Sequence, residues 1–66
     1  MIMAEKITML RKRNGWSQEE LAEKLGVSRQ AVSKWESGAS DPSTTNLMAL
    51  AKLFGVSAED LLKEAQ

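Results

Sequence analysis

Sixty-six residues with no cysteine and no histidine make one small domain, taken as residues 1–66. Such a chain holds no disulfide framework, no thiolate metal cluster and no His- or Cys-based nucleophile dyad, so no enzyme, metal or cofactor is expected. Nine basic and nine acidic residues cancel, which at first sight argues against a nucleic-acid binder.

Hydrophobic residues make up 42% of the chain, enough to exclude disorder. The Met-Ile-Met start is broken at Glu5 and Lys6. No apolar run approaches the roughly 18 residues of a membrane span, and no signal peptide is expected. Absent cysteine fits a reducing cytoplasm.

Helix punctuation organises the rest. Gly15, Gly26 and Gly55 are each followed within two residues by a serine, namely Ser17, Ser28 and Ser57. Glycine ends a helix in the left-handed conformation, and serine then accepts bonds from the free N–H groups of the next one. Ser17 with Glu20, and Ser57 with Asp60, stand at capping-box spacing. Trp16, Val27 and Val56 precede the caps, and Leu21, Val32 and Leu61 follow four positions after them. That is the hydrophobic-staple spacing, three times over.

The pattern predicts five helices, at about 3–13, 18–25, 29–36, 44–54 and 58–65. Pro42 places the longest loop at residues 38–43. The expected core is Met3, Ile7, Leu10, Leu21, Leu25, Val32, Trp35, Leu47, Leu50, Ala51 and Phe54, closed by Leu61 and Leu62. No stretch alternates as a strand does. The expected class is all-α, a compact five-helix bundle.

Function concentrates in Gln18 to Trp35, QEELAEKLGVSRQAVSKW. Two short helices meet at Gly26-Val27-Ser28, a turn too short for an antiparallel pair. Ala22 lets the second helix approach, Gly26 supplies positive φ, and Val27 and Val32 plug the angle. These are the requirements of an acute helix-turn-helix corner, with its core at residues 18–37.

Residues 5–65, and above all LAEKLGVSRQAVSKWESG, resemble the Cro/C1-type helix-turn-helix family of phage repressors and bacterial regulators. The resemblance implies a lambda repressor-like domain that binds double-stranded DNA, usually as a homodimer on a palindromic operator. It implies that the third helix enters the major groove while the second braces across the backbone.

In that pose Arg29, Gln30, Ser33 and Lys34 form the reading face, opposite Val32 and Trp35. Arg or Lys can donate to guanine O6 and N7, and Gln can pair with adenine N6 and N7. Ser17 and Gln18 begin the bracing helix, where N–H groups and the dipole favour phosphate. Ser28 is expected to cap and to donate to phosphate. Ser43, Thr44 and Thr45 make another hydroxyl-rich helix start beside the second strand. Asp41 stands in a loop where phage repressors often carry basic residues. The resemblance also implies an ion pair between Arg11 and Glu36, with Arg11 able to reach phosphate as well.

Simpler roles suit several other residues. Trp16 and Trp35 read as packing rather than base-stacking platforms. Glu20 and Lys24 read as an i,i+4 pair. The dimer contact is expected at the fifth helix and the turn before it, through Val56, Ala58 and Leu62. No small-molecule effector site is expected in the chain. Two competing readings are an antitoxin or other protein-interaction module, and the DNA-binding part of a longer sensor-regulator.

The neutral total conceals an asymmetry. Residues 1–38 hold seven basic and five acidic groups, and residues 39–66 hold two and four. The half that contains the reading helix is therefore +2 and the remainder −2.

Overall fold

In a computed structural model, residues 2–63 are described. Five helices follow one another: α1 (Met3–Arg13), α2 (Gln18–Leu25), α3 (Arg29–Ser37), α4 (Thr44–Phe54) and α5 (Ala58–Leu62). Among the described residues there is no strand. Nor, among those residues, is any helix long and apolar enough to cross a membrane.

Local chemistry sets the boundaries. The hydroxyls of Ser17, Ser28, Ser43 and Ser57 each accept the N–H three residues on, starting α2 to α5. Both expected capping boxes form, Ser17 with Glu20 and Ser57 with Asp60. At the critical corner Gly26 takes φ +72°. There the Gly26 N–H donates to the Glu23 carbonyl at 3.2 Å and the Val27 N–H to Ala22 at 3.0 Å. These bonds occupy the last free carbonyls of α2 while turning the chain toward α3.

The corner gives a direct expectation. A Cβ added at Gly26 meets no atom within 4 Å, so Gly26→Ala carries a backbone cost alone, of about 1 kcal/mol. Thermal unfolding should show a drop of a few degrees with an unchanged helical spectrum. A variant as stable as the parent would mean that the corner does not need its left-handed residue.

The helices pack as neighbours in the chain, α2 on α3 and α4 on α5. The assembly is closed by α1 against α3 and α5, and by α2 against α4. The centre is built from Ile7, Leu21, Val32, Leu50 and Leu61, all nearly free of solvent, with Ala22, Trp35, Leu47 and Ala51 around them. Ala22 is 3% exposed, and its small side chain lets α3 cross close to α2. Met3, Leu10, Leu25 and Phe54 are half-buried at the margin, as are the staple residues Trp16, Val27 and Val56.

Two expectations need correction at the fifth helix. Leu62 does not close the core: it is 59% exposed, while Leu61 is 1% exposed. Successive residues on a helix are turned by about 100°, and α5 turns Leu61 toward the core and Leu62 away from it. The helix itself ends at Leu62, because Lys63 is extended at φ −79°, ψ 128°. Residues 64–65 of the expected span lie outside the described residues.

Candidate nucleic-acid interface

Helix α3 is rooted from behind by Val32 and Trp35, 0% and 5% exposed. That anchorage turns Arg29, Gln30 and Lys34 to solvent on the opposite side. Ser33 lies on the same face and is half-buried. No acidic residue occupies the first turn of α3. Its first turn thus presents cationic and amide donors together with an amide acceptor, a set suited to base edges.

Around α3 stand the starts of α2 and α4. Ser17 is exposed, and its Oγ accepts the Glu20 N–H at 3.0 Å. The Glu20 carboxylate returns to the Ser17 N–H at 2.9 Å. The backbone bond to Ser17, followed by the bond to its side chain, holds the Glu20 carboxyl below the ordinary carboxylate range. Ser28 is exposed, and its Oγ accepts the Ala31 N–H at 3.2 Å. At α4, Ser43, Thr44 and Thr45 are exposed, with Ser43 Oγ accepting from the Asn46 N–H at 3.2 Å. The first turn of α4 has no acid, although Asp41 is exposed just before it.

The expected i,i+4 pair of Glu20 with Lys24 does not form. Glu20 is turned back into its capping box, and the Lys24 ammonium lies 4.8 Å from the ring centroid of Trp16. The Trp16 ring is itself stacked on Phe54, with centroids 6.0 Å apart and planes 21° apart.

Arg11 and Glu36 are brought together. Arg11 Nε donates to Glu36 Oε2 at 2.7 Å and Nη2 to Oε1 at 3.0 Å, a two-pronged bridge between α1 and α3. The side chains are 11% and 6% exposed. Arg11 Nη1 also donates to the Trp16 carbonyl at 2.8 Å. For contact with phosphate this leaves Arg11 only the second N–H of each terminal nitrogen.

Gln18 completes the cluster. It is half-buried, and its Nε2 donates to Glu36 Oε1 at 3.2 Å. One carboxylate therefore ties the starts of α2 and the ends of α1 and α3 to one another. Burial pushes the Glu36 carboxyl up, but hydrogen bonds from Arg11 and Gln18, the Arg11 charge and the Thr8 hydroxyl together outweigh it, holding the group below its usual range. The Glu36 hydrogen bond raises the Arg11 guanidinium further above its ordinary value. The links from Gln18 to Glu36 and from Arg11 to the Trp16 carbonyl carry no signal in residue spacing.

The arrangement is a recessed clamp behind a projecting polar helix. A helix-turn-helix family model matches residues 7–61. The chain belongs to this family, of Cro/C1 type.

Within it, the transcriptional activator BcrR of Enterococcus faecalis is 47% identical over 58 residues, covering 88% of this chain. The chain spans only 28% of the activator's length. The c2 repressor of Salmonella phage P22, crystallised with a synthetic operator, superposes with a TM-score of 0.91 at 38% identity, covering 96% of each chain. SinR of Bacillus subtilis, in complex with DNA, gives a TM-score of 0.85 at 33% identity over 94% of this chain and 100% of the other. These helix-turn-helix relatives are transcriptional regulators, not enzymes.

Proposed function

We propose that this chain is a sequence-specific binder of double-stranded DNA that regulates transcription by occupying an operator. The observation that carries the reading is the exposed trio Arg29, Gln30 and Lys34 on a helix anchored by Val32 and Trp35. In this reading α3 enters the major groove, and its exposed donors, with the half-buried Ser33 among them, read base edges. Ser17, Gln18, Ser28, Ser43, Thr44 and Thr45 hold the flanking phosphates. Arg11, clamped by Glu36, chiefly positions α3 and offers phosphate its remaining N–H groups.

Two copies on a palindromic site would place their α3 helices about 34–36 Å apart. The exposed Leu62, next to half-buried Ala58 and Val56, supports α5 and its preceding turn as the contact between copies. Regulation can take either sign: an operator-bound domain occludes polymerase or touches it, and the relatives include both a repressor and an activator. A cytoplasmic location goes with this role.

A second reading, in which the same domain works inside a longer regulator, is favoured by the small share of the activator that the chain matches. The role of α3 is the same in both.

Selection of bound duplexes from a random pool, at two salt concentrations, tests the function. The parent chain should enrich one consensus, and Gln30→Ala should relax it at one position, at a cost of about 1–3 kcal/mol. A consensus unchanged by Gln30→Ala would remove that residue from the reading face. A pool with no enrichment would overturn the proposal. The neutral total charge implies feeble binding to random duplex, so affinity for the consensus should stand well above that background.

A further inference from the structure

We infer that an open cleft between the end of α2 and the outer side of α4 docks an acidic, leucine-bearing helix of a protein partner. The cleft has a volume of about 430 Å³ and is lined by Lys24, Leu25, Ala49, Lys52 and Leu53. Its floor is apolar, from Leu25, Ala49 and Leu53, and its rim carries two ammonium groups. Ala49 creates the space, since a longer side chain there would occupy it.

Charge fixes the partner's chemistry. Lys52 is the one charged residue of α4. Among the described residues the ion pair found within 4 Å joins Arg11 to Glu36, so neither rim lysine is held in a salt bridge there, although Glu20 one turn earlier feels the Lys24 charge. Lys24 instead rests on the Trp16 ring. The Lys24 and Lys52 ammonium groups astride an apolar floor complement a side chain such as leucine flanked by carboxylates.

A helix supplies that pattern at one-turn spacing, matching Ala49 and Leu53 on α4, and the described residues contain no sheet edge to pair with a strand. Met48, 61% exposed and beside Lys52 along the same outer side, extends the apolar surface with an adaptable thioether. A nucleic-acid backbone has no use for the leucine floor.

On both lining helices the cleft begins a turn or more beyond the residues proposed for phosphate. Lys24 lies six residues along α2 from Gln18, about 9 Å by helical rise. Ala49 lies one turn beyond Thr45 on α4.

The probe is a fluorescein-labelled helical peptide of about four turns, built from Glu, Leu and Ala with leucines four residues apart. Two controls accompany it, one with Lys in place of Glu and one with Ala in place of Leu. The full chain should bind the first saturably, the leucine-free peptide at least about tenfold more weakly, and the basic peptide not at all.

Amide shifts on binding should centre on Leu25, Ala49 and Leu53, and an excess of the selected duplex should not displace the peptide. Lys24→Glu with Lys52→Glu should exchange acidic for basic preference. Ala49→Leu should block both peptides without changing charge, and thermal melts of each variant verify its fold. Equal binding of the leucine-free peptide, shifts centred on α3, displacement by duplex, or no binding at all would each overturn the inference.

Discussion

Leu50→Ala is expected to leave much of the chain unfolded at ambient temperature. Leu50 is 0% exposed in the middle of α4, within the cluster that joins Ile7, Leu21, Val32 and Leu61. Truncating such a leucine removes its transfer free energy and leaves a cavity, together about 3–5 kcal/mol. A core of this size supplies only about 3–5 kcal/mol in total, since a small domain keeps much of its surface in water. The loss is therefore comparable with the whole stability. Urea titration followed by tryptophan fluorescence, from Trp35, 5% exposed within this cluster, and from half-buried Trp16, reads the change. The parent should unfold in one cooperative step, and the variant should begin its transition already partly unfolded. A midpoint close to the parent's would mean that α4 does not close the core through Leu50.

Glu36→Ala is the second large effect, and it is expected to act on stability and DNA binding together. The carboxylate is 6% exposed and receives Arg11 through two bonds and Gln18 through one. An exposed ion pair contributes about 0–1 kcal/mol. Removing one partner of a recessed pair costs more, about 3 kcal/mol, because the guanidinium left behind has lost both its counter-charge and its solvent. Without the clamp, the end of α3 and the start of α2 are no longer held to α1, so operator affinity should fall as well. In a double-mutant cycle, Arg11→Ala added to Glu36→Ala should cost much less than it does alone. Additive losses would mean two independent charges.

The same group gives the protein a pH dependence of known sign. Glu36 has its folded-state carboxyl held below the ordinary value. Its contribution is thus complete above the unfolded carboxyl value, near 4.3, and is lost as pH falls through the lower folded value. Melting temperature should decline below about pH 5, and Glu36→Gln, which cannot ionise, should flatten part of that decline. An equal slope in parent and variant would assign the acid sensitivity to other carboxylates.

Most helix boundaries were legible because their causes are local. A serine hydroxyl, an N–H three residues on and a left-handed glycine lie within a few positions of one another, so spacing alone identifies them. Where such a signal is missing, legibility fails. No glycine or proline follows Leu62, and the end of α5 was placed too far along the chain. Leu61 and Leu62 are chemically alike, and only the position of α1 and α4 in space decides which is buried. Glu20 had two admissible partners, Ser17 and Lys24, and the capping box prevailed because it satisfies two backbone groups at once.

The exposed trio on α3 followed from the burial of Val32 and Trp35, which helical periodicity predicts. The clamp behind it did not follow from periodicity. Arg11 and Glu36 are 25 residues apart, and only the family resemblance implies their pairing. Gln18 was assigned to phosphate on the same ground, and its bond to Glu36 becomes apparent only when three helices are assembled.

The order of packing has a consequence for how the molecule comes together and apart. The corner of α2 and α3 is made by twenty consecutive residues, 18–37, so its loop-closure cost is small and it can assemble early. The seam of α1 and α5 joins the two ends of the chain, with the Lys6 ammonium donating to the Asp60 carbonyl across 54 residues. Resting on a five-residue helix, that seam is expected to open readily, with amide exchange in α5 faster than in α3. An opening confined to that seam leaves α3 held by α2 and by the Arg11–Glu36 bridge to α1.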